Sequence, residues 1–166
     1  MSRIVFVLAA AIAAAAAVVP SLATGAATTR QCAAADLSVR QFPTGGSGAG
    51  TIEFGVRLRN TSGASCFMKG FPGLGLRNAS EARMRGFAAF DTSKARKRVA
   101  LAPGAFAHFI VRYSDVQSAG DPTPCPAASF LLVTPPNRRV SLELRKHFRI
   151  CGKGRMLVTP VTKGKS

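Results

Sequence analysis

Three kinds of residue in this chain have types that chemistry could use: a serine among glycines, two histidines, and four cysteines. Ser47 sits in Gly45-Gly46-Ser47-Gly48-Ala49, which approaches the G-x-S-x-G turn that lifts a nucleophilic serine off a sheet, but its fifth residue is alanine. Continued to Gly50-Thr51, the same glycines imitate a phosphate loop. No lysine precedes the threonine, however, and no helix follows to aim a dipole at phosphate. The segment reads as the end of a hairpin. His108 lies in a strand-like run where packing is the ordinary fate of an imidazole, and His147 stands between Lys146 and Phe148 among basic residues. The seven carboxylates are scattered, without the close pair that glycoside hydrolysis uses. The expectation is a non-catalytic protein without a cofactor. The alternative is a secreted hydrolase with an unrecognised site on Ser47, His108 or His147.

Cys32, Cys66, Cys125 and Cys151 contain no C-x-x-C, and an even count of this kind reads as two disulfides formed in an oxidising compartment. Zinc needs ligands paired more closely than Cys125 and Cys151, and neither histidine falls near a cysteine in ligand rhythm, so no metal is expected. Three pairings are open. Cys32 with Cys66 and Cys125 with Cys151 is preferred, because each then ties neighbouring strands. Loops of this size contribute about 3.5–4 kcal/mol apiece by chain entropy, comparable with the whole net stability of many domains.

The start of the chain bears on location. Arg3 is followed by an uncharged run, residues 4–19, rich in alanine and valine, then by Pro20 and small residues through Ala27. A charged start, a short apolar middle and a small-residue end make a signal peptide over 1–27. The run is too short and too weakly apolar for a comfortable membrane span, and Thr29-Arg30-Gln31 before Cys32 is wrong for lipoprotein processing. Residues 28–166 then form a single exported domain, secreted or associated with the cell wall, with no transmembrane segment in the mature form.

Charge is the other strong signal. The chain carries 23 Lys and Arg against 7 Asp and Glu, a formal +16, and of these only Arg3 belongs to the leader. So large an imbalance favours anionic partners and says nothing about fold.

The elements that must position these residues are short strands. In residues 51–59, Ile52, Phe54, Val56 and Leu58 alternate with Glu53, Gly55, Arg57 and Arg59, the period of a half-buried strand. Val140, Leu142 and Leu144 repeat the pattern, with Arg139, Ser141, Glu143 and Arg145 outward. Leu37 and Val39 open another strand, and residues 106–113, 129–133 and 156–161 supply more. Gly45-Gly46-Ser47-Gly48, Asn60-Thr61-Ser62-Gly63, Pro72-Gly73, Pro103-Gly104 and Pro135-Pro136 provide turns. In Asn60-Thr61-Ser62-Gly63 we expect Asn and Gly to take positive φ, after which Phe67, Phe71 and Leu74 would supply the core. The best helical candidate, residues 79–89, is interrupted by Gly86 and has no clean stripe. About seven short antiparallel strands predict two packed sheets, an all-β, immunoglobulin-like antiparallel β-sandwich with two disulfides. A small β-barrel is the alternative.

The order of these pieces carries a resemblance. Cys32, Gly48-Ala49-Gly50, Asn60-Thr61-Ser62-Gly63, Cys66, Gly70-Phe71-Pro72-Gly73, Leu101-Ala102-Pro103-Gly104, Cys125, Thr134-Pro135-Pro136, Cys151 and Thr159-Pro160 resemble a family of actinobacterial secreted and lipoprotein domains, domain of unknown function 4232. The resemblance covers nearly all of the chain beyond the leader. It implies a non-enzymatic domain and carries over no site residue. The basic surface is not part of the family pattern.

That surface is what remains for function. Lys94, Arg96, Lys97 and Arg98 form the densest run, and Arg57, Arg59, Arg139 and Arg145 on outward positions are expected to make a stripe across one sheet. The partners this implies are anionic envelope polymers or lipid headgroups. A specific nucleic-acid role is not expected, because the chain has one Tyr and its eleven Phe read mostly as core. The expected function is that of a binding module at the bacterial cell envelope, the alternatives being the hydrolase and a structural partner of another exported protein.

Overall fold

The computed structural model describes residues 30–164. The expected signal peptide and the tail cation Lys165 lie outside the described residues. The strands are β1 (Leu37–Phe42), β2 (Thr51–Asn60), β3 (Cys66–Lys69), β4 (Gly73–Arg77), β5 (Arg83–Met84) and β6 (Phe87–Phe90). After them come β7 (Arg98–Leu101), β8 (Phe106–Ser114), β9 (Ala127–Thr134), β10 (Leu142–Arg149), β11 (Arg155–Val158) and β12 (Thr162–Lys163). Among the described residues no segment is α-helical, and none is long and apolar enough as a helix to cross a membrane.

The strands build a sandwich, not a closed barrel. One sheet has the order β1-β2-β8-β11-β6, with β12 also on β8; the second runs β10-β9-β4-β5; β3 and β7 form a separate ribbon. The ladders are antiparallel, with one exception, β11 beside β6, which is parallel. Alternation in β2 sends Phe54, Val56 and Leu58 inward, and the facing register of β8 adds Ala107, Phe109, Val111 and Tyr113. Leu131 and Val133 of β9 and Leu76 of β4 meet them in one core. Burying each of the larger side chains stabilises the fold by about 1.5–3 kcal/mol.

Both disulfides form as expected, Cys32 with Cys66 and Cys125 with Cys151. The first ties residues 30–32 to β3, where Cys32 N–H also donates to the Phe67 carbonyl at 2.9 Å. The second joins the approach to β9 to the exit from β10.

Thr159-Pro160 explains how one side of β8 serves two strands. Proline has no N–H for a ladder, so β11 stops at Val158. The Thr159 hydroxyl then accepts the Ile110 N–H at 2.9 Å, and β12 resumes pairing at Thr162, opposite His108.

Asn60 corrects the turn assigned to it. Neither Asn60 nor Gly63 has positive φ. Asn60 ends β2 with none of its surface exposed, and its amide donates to the carbonyls of Ala64 at 2.9 Å and Leu101 at 3.1 Å. Its Oδ1 accepts the Ser62 N–H at 3.0 Å and lies 2.7 Å from the Ser62 hydroxyl. A buried polar side chain must satisfy its groups internally, and this one does so by binding its own turn to β7.

Two other expectations change, at Val140 and at two phenylalanines, while residues 79–89 hold no helix, as their interrupted pattern led us to expect. Val140 lies outside any strand, 68% exposed, because β10 starts only at Leu142 and bulges between Arg145 and Phe148. Residues 79–89 hold a turn in which Glu81 adopts φ 61°, then β5 and β6. Between these strands the chain crosses from one sheet to the other at Gly86, where a Cβ would press on Leu76. Finally, Phe67 and Phe71 do not feed the core, as described next.

Candidate anion-binding cleft

The carboxylates are largely consumed by local bonds. Asp36 pairs with Arg30 at 2.8 Å, Glu143 with Arg77 at 3.3 Å, and Arg112 engages both Glu53 and, at 3.9 Å, Asp91. Asp121 accepts the backbone N–H groups of Ser118, Lys153 and Gly152, which hold its carboxyl far below the usual range. Asp91 is lowered chiefly by the Ser93 hydroxyl, which with the Ser93 N–H shapes the turn after β6. Cations therefore outnumber the acids left to meet them on the surface.

The expected stripe is not on one sheet. Arg57 and Arg59 project from β2 in the first sheet, Arg145 from β10 in the second, and Arg139 lies in the loop before β10. Alternation gives the face on which a residue sits but not the sheet to which its strand belongs. Each arginine has its own surroundings. The Arg57 guanidinium lies 4.2 Å from the Phe106 ring centre, Arg98 lies 3.5 Å from that of Phe67, and Arg145 lies 5.8 Å from that of Phe130. The Arg59 Nε donates to the Gly104 carbonyl at 3.0 Å, bracing the turn in which Gly104 takes φ 79°. Arg139 borders a hollow of about 410 Å³ with Ala33, Arg138 and Asn137.

The basic run does meet a cavity. Arg96 lines a cleft of about 650 Å³ together with Lys69, Phe71, Phe90, Pro136 and Asn137. Lys69 ends β3, and Gly70 turns the chain with φ 112°, a conformation open to glycine alone at little cost. The Gly70 carbonyl accepts the Val161 N–H at 2.9 Å, which anchors the turn. Phe71 then stacks on Phe90 with centroids 4.7 Å apart and planes 20° from parallel. Phe90 stays 50% exposed at the edge strand β6. Arg96 arrives from the loop before β7, the same loop that holds Lys94 and Lys97. Among the described residues no carboxylate pairs with Lys69 or Arg96. The cleft therefore offers two unneutralised cations beside a stacked aromatic wall.

Sequence reasoning placed Arg96 here but missed Lys69, Phe71, Phe90 and Asn137. Phe71 reads as core because a hydrophobic type does not show that its strand has already ended. The same misreading affected other phenylalanines: Phe54 and Phe109 are buried, whereas Phe87 is half exposed and Phe67 and Phe106 lie beneath cations.

The residues tested for catalysis do not assemble. Ser47 lies in the β1–β2 loop, His108 on β8 of the first sheet and His147 on β10 of the second. Among the described residues no three His, Cys, Asp or Glu side chains converge to hold a metal ion.

Fold and surface together define a two-disulfide β-sandwich with strongly basic outer features. The chain belongs to the family described as Domain of unknown function (DUF4232), which matches residues 32–162. No curated protein and no solved structure matches the chain.

Proposed function

We propose that this protein is an exported, non-catalytic binding module that attaches to anionic polymers of the bacterial cell envelope through the Lys69–Arg96 cleft. The observation that carries this reading is the cleft itself. Two cations without acidic partners among the described residues and a pair of stacked phenylalanines face one open cavity, while most carboxylates are held in bonds elsewhere. The disulfides fit an oxidising compartment. The net charge, +16 for the whole chain and one less without Arg3 of the expected leader, raises the local concentration of a polyanion before any specific contact forms.

The test is a pull-down of the oxidised protein with purified wall polymers, anionic and neutral, over a salt series. Contacts of this kind weaken as ionic strength rises. Binding to the anionic polymer that moderate salt releases supports the proposal. Equal retention on neutral polymer, or retention indifferent to salt, refutes it.

A further inference from the structure

A second cluster, on the outer face of the first sheet, is built at a cost that core packing does not explain. The registers place Phe42 and Arg40 of β1, Gly55 and Arg57 of β2, and Phe106 and His108 of β8 on that face. Glycine weakens the interior of a strand, yet Gly55 sits in the middle of β2. The reason is the Phe42 ring, which lies where a Cβ on Gly55 would be. Gly164 is related to Phe106 in the same way. Two aromatic rings on this outer face thus each place an edge where a glycine's Cβ would be.

Between them lies Arg57, its guanidinium 4.2 Å from the Phe106 centroid and 5.8 Å from that of Phe42. Among the described residues no carboxylate pairs with it; Glu53, on the same face of β2 but four residues away, is taken by Arg112. Its cross-strand neighbour is another cation, Arg40, a like-charge pairing that costs stability in a sheet. His108 meets Phe42 edge-on at 5.8 Å and shares a hydrogen bond of 3.1 Å with the Thr162 hydroxyl. Burial, and then Arg57, push its pKa down, so the ring stays neutral at pH 7. Phe42, Arg57, Phe106, His108, Thr162 and Lys163 enclose a hollow of about 350 Å³. A guanidinium held between rings keeps its N–H edge for a planar oxyanion, which a lysine cannot match.

The geometry points to a second binding site here, one that takes a single acidic sugar unit: the Arg57 fork, with Lys163 at the rim, receives a carboxylate or phosphate oxyanion while the ring surface of Phe42 and Phe106 that Arg57 leaves uncovered receives the apolar face of the sugar. The site is separate from the Lys69–Arg96 cleft and stands or falls independently of it.

The test is an NMR titration of the ¹⁵N-labelled oxidised protein with sodium glucuronate, glucose 6-phosphate and neutral glucose. Saturable shifts at Arg57, His108 and Thr162 with either acidic sugar, and none with glucose, are expected; which acid binds tells carboxylate from phosphate. Arg57→Lys, which keeps charge and loses the fork, should weaken binding about tenfold. Phe106→Leu should weaken it in the same direction, and Arg96→Gln should leave it unchanged. Wild-type affinity in a folded Arg57→Lys protein, equal shifts with glucose, no saturable shifts, or shifts confined to the Lys69–Arg96 cleft would each overturn the proposal. If Arg57→Lys fails to fold, Phe106→Leu decides by the same criterion.

Discussion

Asn60→Asp changes two amide hydrogens to lone pairs with almost no change of shape, and the structure makes it severe. Asn60 is fully buried and donates to the carbonyls of Ala64 and Leu101. In the variant the Leu101 carbonyl loses this donor, the Ala64 carbonyl keeps the Ser62 hydroxyl that also donates to it at 3.0 Å, and both face a carboxylate oxygen instead. A buried group left unsatisfied costs about 1–3 kcal/mol, and a buried charge without a partner adds to it. The sum is about 3–5 kcal/mol, a large fraction of an ordinary domain's stability. Equilibrium urea unfolding of the oxidised protein measures it; the midpoint should fall by roughly 2 M at an ordinary dependence on denaturant. The deficit should also shrink on acidification. Burial raises the pKa of the introduced carboxyl above its unfolded value, so the folded state takes up the proton first and regains one donor. A midpoint within about 0.3 M of wild type would refute the reasoning, because Asn60 would then be an ordinary turn residue.

Removing the first disulfide as Cys32→Ala with Cys66→Ala opens a loop with a sequence separation of 34. It should cost about 3.8 kcal/mol by chain entropy, read as a lower thermal midpoint; an unchanged midpoint would show that the bridge constrains nothing. His108 has a folded pKa below its ordinary 6.5, first because of burial and then because of Arg57. Its unfolded form therefore binds the proton more readily, so stability is full above pH 6.5 and falls as pH drops toward the lower folded value. His108→Gln should flatten that part of a pH–stability curve, and an identical slope in the variant would count against the assignment.

The long strands were legible because each has a buried and an exposed side. β2 and β8 alternate along nearly their whole length, and the period of two marks the faces directly. The disulfide pairing followed from joining strands close in sequence. Less was visible in the short elements. β5 and β12 have two residues each, too few to show any period, and the parallel pairing of β6 with β11 is a long-range contact that local pattern does not encode. Asn60 looked like a turn residue because its type is common in turns; that it sits in the core depends on Leu101, far along the chain. The cleft was half legible for the same reason. The run from Lys94 to Arg98 announces charge, but only folding brings Lys69 and the Phe71–Phe90 stack beside Arg96.

The most direct test of the account is the salt dependence of binding to an anionic wall polymer, compared between wild type and a folded Lys69→Gln, Arg96→Gln double variant. If the cleft carries the contact, the wild-type affinity falls steeply with salt and the variant binds more weakly with a shallower slope. Equal affinities and equal slopes for the two proteins would contradict it.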